Sequence, residues 1–207
     1  MPSRFPTPRL LLPAVAGLIV LAAIWQVLPV AASTAPQEWE DGAVRYYDAS
    51  GMDRTVGIAA ARWNASGAAV RLRRVKSRTD ADVVIDSDDR QLRAVCGTDC
   101  LGYTTSIGRP AEGRTRILLA AELGGDPRAL AVWVAAHELG HVLGLRHRDG
   151  RTCSLMSEHA FDTRCAPSLA DEQATMEQLA CVPAPADVEA AAAIYGGRPA
   201  RRDPRCR

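Results

Sequence analysis

The segment from Ala136 to His147, AHELGHVLGLRH, constrains the fold more than any other part of the chain. It sets out His137-Glu138-x-x-His141-x-x-Gly144-x-x-His147. On a helix, positions four apart lie on one face, one turn apart, so His137 and His141 can reach the same ion. Gly144 tolerates the left-handed backbone that stops a helix sharply, and the resulting turn brings His147 back as a third ligand. Three imidazoles leave one position of a tetrahedral zinc open, the arrangement of a reactive site. Glu138 is rotated by about 100° from His137 on the helical wheel. It therefore sits beside the ion, where it can take a proton from water. Only four histidines occur in the chain, and three of them hold these positions; the fourth is His159.

The flanks predict the helix itself. Gly124-Gly125 breaks the chain, Asp126 is placed to cap, and Pro127 suits a first helical position. Ala129 to Leu143 then runs without Pro and with Gly140 as its only glycine.

A methionine follows nine residues after His147, in Cys153-Ser154-Leu155-Met156-Ser157. With the extended His motif, this resembles the metzincin metallopeptidases, most of all the matrixin-type and small secreted bacterial members. The resemblance runs from about residue 43 to residue 197. It implies a metzincin-type α/β (α+β) fold: a mixed, mainly parallel sheet with an antiparallel edge strand, an active-site helix, and a small irregular C-terminal subdomain ending in a helix. It also implies one catalytic Zn²⁺ on His137, His141 and His147, with Glu138 as general base and Met156 in a turn beneath the metal. Residues 102–106 would be the edge strand, with Gly102, Tyr103 and Thr104 contacting a protein or peptide substrate and residues 157–165 walling the pocket beyond the cut. The chain departs from the family in several places. No histidine precedes His137, so the structural zinc of vertebrate matrixins, bound there by further His and Asp, lacks its histidine ligands and is not expected. Glu158 stands where some metzincins carry a tyrosine two residues after the methionine. Pro204-Arg205-Cys206 lacks the Gly and Asp that complete a cysteine switch. Calcium is not indicated.

The net charge of +1 over 207 residues implies no nucleic-acid partner, and a monomer is expected. Arg4 and Arg9 precede an uncharged, largely apolar stretch from Leu10 to Gln37, with a small-residue site at Val30-Ala31-Ala32. Residues 1–36 read either as a cleaved signal peptide or as a retained N-terminal membrane anchor, the one route to a membrane. Either places the catalytic domain, residues 37–197, outside the cytoplasm, secreted or at the cell surface. Residues 198–207 read as an Arg-rich mobile tail held at Cys206. Six cysteines in an exported chain suggest disulfides, and sequence order suggests Cys96–Cys100, Cys153–Cys165 and Cys181–Cys206 among 15 pairings.

Strands are expected at residues 43–47, 70–75, 81–85, 101–107 and 115–120, and helices at 53–64 and 185–195. The sequon Asn64-Ala65-Ser66 reads as incidental. Two rivals stand beside the peptidase reading: a secreted, non-catalytic metzincin-like binding domain, which the intact Glu138 disfavours, and a zinc amidase acting on cell wall, which Met156 disfavours.

Overall fold

The computed structural model describes residues 37–148, 154–158 and 182–200. Five strands form one sheet: β1 (Ala43–Asp48), β2 (Arg71–Arg74), β3 (Val83–Asp86), β4 (Gly102–Thr104) and β5 (Thr115–Leu119). Their order is β2-β1-β3-β5-β4. All neighbours are parallel except β4, which runs antiparallel to β5 at the edge. This is the expected mixed sheet. Among the described residues four α-helices accompany it: α1 (Asp53–Asn64), α2 (Asp89–Cys96), α3 (Ala129–Val142) and α4 (Pro185–Tyr195). Among the described residues no helix is long and apolar enough to cross a membrane. The proposed leader or anchor, residues 1–36, lies outside the described residues.

The central strand β3 is apolar because both its faces are covered. Val83, Val84 and Ile85 of β3 are all buried. Helix α1 carries the crossover between the parallel strands β1 and β2 and packs on α3. At its end Asn64 donates to the Leu72 carbonyl at 2.9 Å and accepts from the Leu72 N–H at 2.7 Å. The sequon asparagine thus joins α1 to β2.

Helix α3 is buried on nearly every side, with Leu130 alone left half-buried. A helix in that position is apolar all round instead of striped. Two tryptophans hold it through its backbone: Trp63 Nε1 donates to the Ala136 carbonyl at 2.9 Å, and Trp39 Nε1 to the Val142 carbonyl at 2.7 Å. The second bond satisfies one of the carbonyls that a helix end leaves without a partner.

Three expectations need correction. Asp126 does not cap α3: Arg128 is the N-cap residue, in extended conformation with no side-chain cap bond. The Arg128 carbonyl accepts the first helical bond, from Val132, so the chain is not yet helical at Pro127. The Asp126 side chain is exposed and pairs with Arg54. Helix α2 occupies a span between the expected strands where the sequence pattern points to no element. It is eight residues long and buries only Leu92, so its apolar pattern is short, although Asp88 caps it by accepting from the Gln91 N–H at 2.9 Å. Residues 198–200 of the expected mobile tail are tied down, because the Ala200 N–H donates to the Ser66 carbonyl at 2.7 Å; Cys206 lies outside the described residues.

Of the expected disulfides, Cys96–Cys100 is formed and ties the end of α2 to the segment entering β4. The other two pairings involve Cys153, Cys165, Cys181 and Cys206, which lie outside the described residues, as do residues 159–165 of the expected pocket wall.

Candidate metal centre

The end of α3 builds the site. Gly144 has φ 88°, in the left-handed region. The Gly144 N–H bonds back to the His141 carbonyl at 2.9 Å and the Leu145 N–H to the Gly140 carbonyl at 3.0 Å. This paired closure reverses the chain within one turn. It returns His147 to the face that carries His137 and His141.

Each buried ring is fixed by its far nitrogen. His137 Nδ1–H donates to the Leu155 carbonyl at 2.7 Å, and His141 Nδ1–H to the Leu145 carbonyl at 2.8 Å. The proton of each neutral ring is thereby held on Nδ1, leaving Nε2 as a bare acceptor. Those two Nε2 atoms lie 3.2 and 3.0 Å from His147 Nε2. His147 could donate to one and would leave the other facing a lone pair. A cation at the centre satisfies all three. The ligand atoms lie within 4.8 Å of one another. The histidines fit the zinc motif read from the sequence, and the donor set suits one Zn²⁺ with an open position.

Burial, reinforced by the neighbouring His141, holds the His137 pKa down to about 3. Burial also lowers that of His141. Both rings stay neutral, as ligands must be. Trp133, one turn before His137, stacks on its ring with centroids 5.1 Å apart and fixes its plane.

Glu138 is 4% exposed, and burial pushes its pKa up to about 7 against a smaller lowering by the Thr104 hydroxyl. Thr104 Oγ1 lies 2.6 Å from Glu138 Oε2 and 3.2 Å from the Glu138 carbonyl oxygen. Gly102 lies so close that a Cβ there would fall 2.6 Å from Glu138 Oε1 and 2.9 Å from Glu138 Cγ. Tyr103, Trp133 and Glu158 line the same cleft of about 650 Å³.

Met156 is fully buried against Gly140, in the helical turn between the first two ligands. A side chain at Gly140 would run into the Met156 sulfur. The Met156 carbonyl accepts from the Arg148 N–H at 2.9 Å, next to His147.

One residue of this centre escaped the sequence reading. Asp187, fully buried at the start of α4, accepts from Ser154 Oγ at 2.5 Å, the Leu155 N–H at 2.7 Å and the Ala184 N–H at 3.0 Å. The carbonyl of Leu155 is the one that orients His137. The available signal was an acidic residue in the first turn of a helix opened by Pro185. Nothing in it points to a segment some thirty residues earlier in the sequence.

No protein-family model and no curated protein matches the chain. Among solved structures it is similar to myroilysin, at 17% identity over 53% of this chain and 52% of that one, with a TM-score of 0.37. It is also similar to high choriolytic enzyme 1, a hatching-enzyme zinc protease of the medaka fish Oryzias latipes. There the identity is 21% over 56% of this chain and 52% of that one, again with a TM-score of 0.37. The chain thus spans about half the length of each.

Proposed function

We propose that the chain is a zinc-dependent endopeptidase of metzincin type, acting on protein or peptide substrates outside the cytoplasm as a monomer. The observation that carries this reading is the convergence of three Nε2 lone pairs beside a buried carboxylate. Two of those rings have their protons committed to backbone carbonyls. The zinc that His137, His141 and His147 would hold supplies a Lewis acid that polarises the scissile carbonyl and acidifies water. Glu138 takes the proton of the attacking water and delivers it to the departing amine nitrogen. Without the metal, burial raises Glu138 to about 7, and a cation held by the three histidines would lower it and keep the carboxylate ionised to act as base.

Strand β4 suits an extended substrate. The Ala120 N–H bonds to the Leu101 carbonyl and the Thr105 N–H to the Arg116 carbonyl, each at 2.9 Å. Antiparallel pairs alternate between bonded and non-bonded positions, so the backbones of Gly102 and Thr104 face away from β5. A peptide can add to that edge as a further strand. Residues 37–197 would form the catalytic domain, after a leader or anchor in residues 1–36. The Cys96–Cys100 disulfide fits an oxidising compartment.

The test is metal analysis joined to peptide cleavage. One zinc per chain is expected, with activity lost to phenanthroline, restored by added Zn²⁺ and indifferent to serine-protease inhibitors. His137→Ala, His141→Ala and His147→Ala should each lose the metal. Full activity in excess chelator would refute the reading. Zinc binding without cleavage of any peptide would favour the non-catalytic binding domain.

A further inference from the structure

From the packing of β4 on α3 we infer that Gly102 and Thr104 form a seat that aims the Glu138 carboxylate, which makes Thr104 a positioning residue. The inference rests on the peptidase reading for its kinetic consequence and on geometry for its substance. Gly102 and Thr104 are two apart on one strand, so they share a face of the sheet. That face meets α3 at Glu138. Thr104 Oγ1, 2.6 Å from Oε2, holds one carboxylate oxygen. Gly102 leaves just enough room for the other, since a Cβ would fall 2.6 Å from Oε1 and 2.9 Å from Val134 Cγ1. One oxygen is held by a hydroxyl and the other is confined by a backbone without a side chain. The carboxylate therefore has one place to lie.

This reassigns Thr104. A side chain that meets the base is not free to read a substrate side chain, and what Gly102 and Thr104 offer a peptide is their outward-facing backbone. A carboxylate without the seat could still accept a proton, but it would spend less time aimed at the attacking water, and orientation of this kind is a kcat effect.

The experiment compares wild type, Thr104→Ser, Thr104→Val and Gly102→Ala, all zinc-loaded. It measures kcat, KM, zinc content and melting temperature, with a crystal structure of each. Thr104→Val keeps the shape and removes the donor. Its kcat is expected to fall about ten- to hundredfold, the range for a hydrogen bond to a charged group, with KM and zinc content unchanged. Thr104→Ser keeps the hydroxyl and should stay within about threefold of wild type. Gly102→Ala should lower kcat through a displaced Oε1. A Thr104→Val enzyme at wild-type kcat, a Thr104→Ser enzyme as impaired as Thr104→Val, or an effect confined to KM would each overturn the seat. A wild-type chain that binds zinc and cleaves nothing would instead defeat the peptidase reading, and the crystals would then decide. Glu138 released from its wild-type position in Thr104→Val supports the seat; an unmoved carboxylate refutes it.

Discussion

Glu138→Gln is expected to lose about 10²- to 10⁴-fold in peptide cleavage, the usual contribution of a positioned general base, while binding zinc as wild type does. The substitution preserves shape, and a Gln oxygen still accepts from Thr104. It removes the buried carboxylate that lies beside the three histidines and is placed to take a proton. Glu138 is not among the converging ligand atoms, so the metal should stay. Cleavage near the wild-type rate would defeat the mechanism, and metal lost with activity would make Glu138 a ligand.

The same variant carries a stability signature of opposite sign. In the metal-free chain burial raises Glu138 from its usual 4.5 to about 7. A carboxyl whose folded value is raised contributes stability that is complete below about 4.5 and lost as pH rises through about 7. The loss at alkaline pH is about 3 kcal/mol, at roughly 1.4 kcal/mol per pKa unit. Glutamine is neutral throughout and escapes it. Metal-free Glu138→Gln should therefore melt above metal-free wild type at pH 8, and the gap should close towards pH 5. The lowered His137 and His141 act in the other direction, with stability present above the ordinary histidine value and lost on acidification. They are common to both proteins and cancel in the difference. Zinc should remove the gap, since a cation beside the carboxylate favours its charged form. Equal melting temperatures of the metal-free proteins at pH 8 would mean that Glu138 is not buried as described.

Much of this centre could be read in advance because it is local. His137, His141 and Gly144 are related by helical periodicity, and a run such as Val83-Val84-Ile85 says that both sides of a strand are covered. Helices α1 and α4 match the expected spans because each begins with a polar or proline signal and ends at a polar or glycine one. Elements with little apolar pattern could not be read. Helix α2 spans only eight residues and buries Leu92 alone, too short an apolar pattern to stand out from a loop, and its end is fixed by the Cys96–Cys100 disulfide. Asp126-Pro127 has the chemistry of a cap and a first turn, whereas the Arg128 carbonyl decides where helical bonding in α3 begins. Thr104 and Asp187 act on the centre from 34 and 32 residues away, on Glu138 and Leu155. Only the packing of β4 and α4 against the site brings them there, and no spacing rule encodes that packing.

Asp187→Ala should be the most damaging substitution outside the metal ligands, in stability and in zinc affinity together. Asp187 collects hydrogen bonds from Ser154 Oγ, the Leu155 N–H and the Ala184 N–H in an environment with no exposure. Those bonds oppose the burial that would otherwise raise its pKa further. Alanine removes both carboxylate oxygens and leaves three donors without their acceptor at once. A buried donor without a partner costs about 1–3 kcal/mol, so a loss of at least 3 kcal/mol is expected. In a domain of this size that lowers the melting temperature by roughly 10 °C. The metal effect follows from what the aspartate holds. Ser154 Oγ accepts from the Met156 N–H at 3.0 Å, the Leu155 carbonyl orients His137, and the Met156 carbonyl holds Arg148 beside His147. Freeing residues 154–156 therefore loosens two of the three ligands, and loss of such support typically weakens metal binding by about 10–100-fold. Asparagine should not rescue, because its amide NH₂ would face donors where the carboxylate offered acceptors. Ser154→Ala, which removes one donor and leaves the carboxylate bonded to Leu155 and Ala184, should show a smaller loss of the same kind. Thermal melting with competitive zinc titration measures both effects. An Asp187→Ala chain that melts with wild type and binds zinc equally well would show that the turn carrying Met156 holds its shape without α4.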